Sequence, residues 1–209
     1  MNDTTNQSLR YDSTGDTPGD NEKHSLLTYV SDLLALEEHI GKPLDGQLGS
    51  DATKRYPQAL TVIQSLKTIN DSHQAALKQC LESLGGHEAS PIKSAWSNLL
   101  GGAAAAIGAA RKTKVTKWLR DDYTALSLAG MSYTLLHATA VGLGDVATAT
   151  LAKQGLADYA RAVMQINQVI PEVVLAELQE DGETVAAGAA ETIRQQTNEI
   201  WKSQSSVTR

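Results

Sequence analysis

Three polar residues stand where a helical core stripe should be apolar, and their types could do chemistry. Glu37 interrupts the series Leu26, Val30, Leu33, Ile40. Asn70 and His73 interrupt the series Ala59, Ile63, Leu66, Leu77, Cys80, Leu84. Residues three apart on a helix share a face, so this amide and imidazole look toward the same partner. A carboxylate and an imidazole facing each other in a core either neutralise one another as a buried pair or hold a metal ion. The pair is the favoured reading, with Asn70 or Tyr133 as further partners. Two ligands are too few for a hard divalent ion or a zinc site. Asp122, His137, Asp158 and Cys80 are the candidates to complete one, and none has diagnostic spacing. Cys80, on the stripe, reads as a small buried hydrophobe, and His137 as a packed or surface histidine.

The elements that must position these residues are helices. Apolar residues recur at spacings of three and four from His24 onward. The first helix is expected from about Ser25 to about Gly41 or a little beyond, with Pro43 near its end. The second is expected from Lys54 to Leu84, with Pro57 in its first turn and Gly85-Gly86 as its stop. Ser90–Arg111 reads as a Gly- and Ala-rich connector. The third helix is expected over Val115–Leu143, with stripe Val115, Leu119, Asp122, Leu126, Ala129, Tyr133, Leu136, Ala140, Leu143. The fourth is expected over Val146–Gln179, with stripe Ala152, Leu156, Tyr159, Val163, Ile166, Ile170, kinked or divided at Pro171. Thr184–Lys202 is a candidate fifth. The expectation is an all-α chain built as an up-down four-helix bundle. A crossover connector joins helices two and three, and an extra C-terminal helix follows. Its divisions are a flexible polar tail over 1–22, the bundle over 23–180, and an amphipathic helix with a polar tail over 181–209.

Composition narrows the class. The chain has 209 residues, 41% hydrophobic, with no Phe, a single Cys and a formal net charge of −6. The acidic balance and the lack of a basic face speak against nucleic acid as a partner. A lone cysteine excludes an internal disulfide. No stretch approaches the roughly 20 apolar residues of a membrane span, and the first residues do not read as a signal peptide. A cytoplasmic location is expected. No phosphate loop, Cys-x-x-Cys, nucleophile triad or metalloprotease helix is present.

Three passages resemble the ferritin-like superfamily, of the stress-associated YciE/YciF type. Asp32–Glu37 is similar to that family's first-helix segment, and His73–Leu77 with Leu81–Gly85 to its second helix and turn. Tyr133, Leu136, Gly142–Gly144, Leu151 and Leu156–Asp158 are similar to its third and fourth helices. Such bundles take a carboxylate from each of two helices and a Glu-x-x-His pair from each of the other two. The resemblance places Glu37 and His73 at ligand positions. It places Asn70, Leu126, Ala129, Tyr159 and Ala162 where ligands would stand, so most of the di-metal site is missing. Tyr159 then either fills the volume of the absent ions or turns its hydroxyl to Glu37 or His73.

The resulting expectation is a non-catalytic, stress-associated structural or interaction module without a cofactor. Homo-oligomers, dimers first, are expected, with the C-terminal helix as a further docking segment for a protein partner. One alternative is a residual iron, manganese or zinc site on Glu37, His73 and Asp158. The other is a small-ligand pocket at the vacated centre.

Overall fold

A computed structural model describes the backbone over residues 18–86 and 114–205, and side chains over 23–86 and 114–203. All regular structure among these residues is helical. Helix α1 spans Pro18–Gly49, α2 Asp51–Lys54, α3 Pro57–Ser83, α4 Val115–Gly142, α5 Val146–Glu180 and α6 Ala189–Ser205. The expected connector at Ser90–Arg111 lies outside the described residues.

Several boundaries differ from expectation, for physical reasons. Helix α1 already runs at Pro18, inside the segment expected to be a flexible tail. It also continues through Pro43, because Leu44 beyond the proline is buried in the core and Gln47 is buried as well. Burial there offsets the one backbone bond that a proline removes. The expected second helix is broken at Tyr56. The residue before a proline is pushed out of the helical region, and Tyr56 sits at φ −119° and ψ 83°, so α3 starts with Pro57. Pro171 does not divide α5, which runs unbroken to Glu180. The last helix starts at Ala189, not Thr184.

Helices α1 and α3 pack together, as do α4 and α5; α1 also packs on α4, and α3 on α5. Side-chain bonds set the directions. Gln47 near the end of α1 reaches Asp122 near the start of α4. Tyr56 before α3 and Thr116 in α4 reach Glu180 and Glu177 at the end of α5. Cys80 near the end of α3 meets Thr148 at the start of α5. Each packed pair is therefore antiparallel, and α3 and α4 run the same way. The end of α3 and the start of α4 therefore lie at opposite ends of the bundle.

The core is one continuous cluster running through all four long helices. Along α5 its buried residues are Ala149, Ala152, Gly155, Tyr159, Ala162, Ile166, Val169 and Val173. Leu156, Val163 and Ile170, expected on this stripe, are only partly buried at its edge. Two full-size tyrosines fill the middle of the bundle, so the residues beside them must be small.

Helix α6 packs on α5 and is held by polar residues. Arg194 bonds Glu172 at 2.5 Å, and Gln168 donates to Asn198 at 2.6 Å. Its apolar residues Ile193, Ile200 and Trp201 remain exposed.

Candidate functional site

Midway along the bundle one side chain from each of α4 and α5, and two from α3, converge on Glu37 of α1. That carboxylate is completely buried. Its Oε1 accepts from the Tyr133 hydroxyl at 2.8 Å and faces His73 Nδ1 at 3.1 Å. Its Oε2 accepts from Asn70 Nδ2 at 2.6 Å and from the Tyr159 hydroxyl. A carboxylate offers about four lone-pair sites, and four donors occupy them. Of the two roles expected for Tyr159, the hydroxyl is turned to Glu37.

Asn70 is held on both sides. Its amide nitrogen also donates to the Glu37 backbone carbonyl at 2.9 Å, and its oxygen accepts from Gln74 at 2.8 Å. His73 stands between two acids, with Nε2 3.3 Å from Asp158 Oδ2. Asp158 is fixed in turn by Gln154 at 3.0 Å and by Arg161. The His73, Tyr133 and Tyr159 rings meet edge-on or tilted, with centroids 4.8–5.9 Å apart.

The electrostatics follow from this enclosure. Burial alone would lower the His73 pKa, but the bonds and charges of Glu37 and Asp158 outweigh it and raise it above 6.5. A neutral imidazole has one N–H and cannot donate at both nitrogens, so carboxylates at both favour the doubly protonated ring. Burial first, then the Glu37 charge, pushes both tyrosine hydroxyls well above 10. Burial works to raise the Asp158 pKa, yet Gln154, His73 and Arg161 bring it below 3.8.

Two glycines make the room. A Cβ on Gly155 would stand 2.7 Å from Cδ1 of Tyr133 and closer still to Cε1. A Cβ on Gly41 would stand 2.6 Å from Asn70 Oδ1. From the sequence Gly41 reads only as a helix end, and nothing marks Gly155 as a packing residue beyond its three- and four-residue spacing from Ala152 and Tyr159.

The structure brings together Glu37, His73, Asn70, Tyr159 and Asp158. Leu126, Ala129 and Ala162 are buried in the same core and bring no donor atom for a metal. The other candidates lie elsewhere. Cys80 is buried against Thr148, and burial raises its thiol pKa. His137 Nδ1 meets the Ala149 carbonyl at 3.0 Å, beside an open pocket of about 270 Å³ at the α4–α5 turn. Asp122 is at the other end of the bundle, where its Oδ1 accepts from Gln47 at 2.9 Å. Its Oδ2 and Gln47 Oε1 are buried with no partner among the described residues. Burial above all, then nearby Asp121, lifts the Asp122 pKa to about 7 against the pull of the Gln47 bond. Among the described residues no group of three or more His, Cys, Asp and Glu side chains is arranged to hold a metal ion. None of the described helices is long and apolar enough to cross a membrane.

No protein-family model and no curated protein matches the chain. A solved structure, that of a protein from Xanthomonas campestris pv. campestris, is similar at a TM-score of 0.62 and 18% identity. The match covers 78% of this chain and 99% of that one. At this identity the likeness shows a shared all-helical fold.

Proposed function

We propose that this chain is a non-catalytic, ferritin-like four-helix bundle acting as a structural or interaction module. In this reading a saturated hydrogen-bond centre stands where related bundles hold two metal ions. The observation that carries it is the occupancy of Glu37: four donors from three other helices use its lone pairs. A metal at Glu37 would have to displace them. The parallel run of α3 and α4, each antiparallel to its packed neighbours, supports the ferritin-like assignment. The outward apolar residues of α6 support an interaction role, with a protein partner docking on that helix. The stress association rests on the family resemblance alone.

The metal-binding alternative draws on the meeting of Glu37, His73 and Asp158. Here the imidazole lies between the two carboxylates, one at each nitrogen. The three groups therefore do not point at a common centre, and the present donor set does not fit iron, manganese or zinc. A small-ligand pocket fares no better, because the Tyr133, Tyr159 and His73 rings fill the middle. Elemental analysis of protein purified without a histidine tag decides between the readings. Metal well below one equivalent per chain is expected. Stoichiometric metal that disappears in His73→Ala would overturn the proposal.

A further inference from the structure

Where α4 turns into α5, a groove between the two helices forms a pocket of about 270 Å³. Its walls are apolar: Ala140 and Val141 from α4, Val146 and Ala149 from α5. Ala140 and Ala149 are buried, while Val141 is 59% and Val146 77% exposed at the rim. Val146 is the most exposed large apolar side chain among the described residues. Some of the polar lining is already engaged. The Thr150 hydroxyl donates to the Val146 carbonyl, and Asp145 Oδ1 accepts from the Thr148 amide at the start of α5. His137 and Lys153 differ. The Ala149 carbonyl can only accept, so its 3.0 Å bond with His137 Nδ1 puts a proton on that nitrogen. His137 Nε2 and the Lys153 ammonium have no partner among the described residues.

We propose that this pocket binds a small carboxylic acid with a short aliphatic body. Lys153 supplies an unpaired positive charge at the edge of the pocket, and hydrogen bonds between charged groups are about twice as strong as neutral ones. With Nδ1 holding its proton, His137 Nε2 either accepts from a neutral acid or, as imidazolium, donates to a carboxylate. The valines at the rim select the aliphatic body, because covering them takes apolar surface out of water. The volume lies just below the range of about 300–1,000 Å³ usual for ligand pockets, so the ligand is small. The free charge selects an anion over an amine, which Lys153 repels. Asp145 is the one acid in the lining, and it works against an anion. Its carboxylate is drawn to the start of α5, where the helix dipole offsets its charge.

The test is titration calorimetry of the full-length protein with hexanoate. Saturable binding of a single hexanoate per chain is expected, in the millimolar range or tighter. Acetate has the head without the body, and hexan-1-ol the body without the charge; each is expected to bind about tenfold more weakly or worse. Hexylammonium is expected not to bind. Lys153 is exposed, so Lys153→Gln leaves the fold intact by circular dichroism and is expected to weaken hexanoate about tenfold. Val141→Trp, at the rim, is expected to block the pocket. Asp145→Asn keeps a helix-capping side chain and is expected to strengthen binding. A titration with hexanoate that shows no saturable binding overturns the proposal. So does hexan-1-ol binding as tightly as hexanoate, since the charge then selects nothing. Hexanoate binding that neither Lys153→Gln nor Val141→Trp weakens lies elsewhere on the chain and overturns it as well.

Discussion

The Tyr133 ring occupies the space that a side chain on Gly155 would need. It is fixed there because its hydroxyl holds Glu37 at 2.8 Å. On an exposed helix, Gly→Ala stabilises by up to about 1 kcal/mol. Here the methyl group would push the ring off its bond, and overpacking of this kind costs about 1–3 kcal/mol. Gly155→Ala should therefore lower stability in urea unfolding. In a Tyr133→Leu background the same change should become neutral or stabilising. A Gly155→Ala protein more stable than the wild type would show that the ring has freedom to move.

Glu37 concentrates more bonds than any other residue of the centre. Replacing it with Gln puts an amide, with two N–H groups of its own, among four donors. It also leaves the imidazolium without its buried partner. Breaking a buried pair from one side costs about 3–5 kcal/mol, so Glu37→Gln should lower the melting temperature strongly. Tyr159→Phe removes one donor of four and should cost about 1–3 kcal/mol. An unchanged melting temperature in Glu37→Gln would contradict the burial of a charged pair.

The members of this centre were visible in the sequence as polar residues and tyrosines at core spacing. Their partners could be guessed, because one apolar stripe per helix must point inward. The space around them could not be read the same way. Gly41 and Gly155 are empty for the sake of a residue on another helix, a relation that depends on how two helices lie against each other. On α5 the bulky residues suggested a stripe through Leu156, Val163 and Ile170. The burial instead follows Gly155, Ala162 and Val169, because the tyrosines already fill the centre. Pro43 suggested a helix end, but the burial of Leu44 beyond it decides otherwise.

His73 should make stability depend on pH in a definite direction. Its folded pKa lies above the usual 6.5. Its contribution is fully present below about pH 6.5 and is lost as pH rises through the folded value. Subtracting the stability of His73→Gln from that of the wild type, at steps from pH 6 to pH 9, should give a difference that shrinks upward. Asp158 acts on the other side. Its contribution is present above pH 3.8 and is lost as pH falls through its lowered value. A His73 difference that grows with pH would mean that the ring is neutral in the fold.

Asp122 offers a second pH effect, at the opposite end of the bundle and independent of the centre. Its carboxyl and the Gln47 amide are joined by one bond, and each keeps a buried oxygen without a partner. A proton on the carboxyl relieves the charge and gives the pair the donor it lacks. With the folded pKa at about 7 against an ordinary 3.8, this stabilisation is complete below pH 3.8. It is lost as pH rises toward and through 7, by a few kcal/mol in order of magnitude. Asparagine carries its donor at every pH. Asp122→Asn should therefore unfold at a higher urea concentration than the wild type at pH 8, and the gap should narrow as pH falls toward 5. Because His73 also loses its contribution on the alkaline side, the decisive comparison is made in a His73→Gln background. There the Asp122→Asn advantage at pH 8 should persist, and its disappearance would assign the whole alkaline loss to the centre.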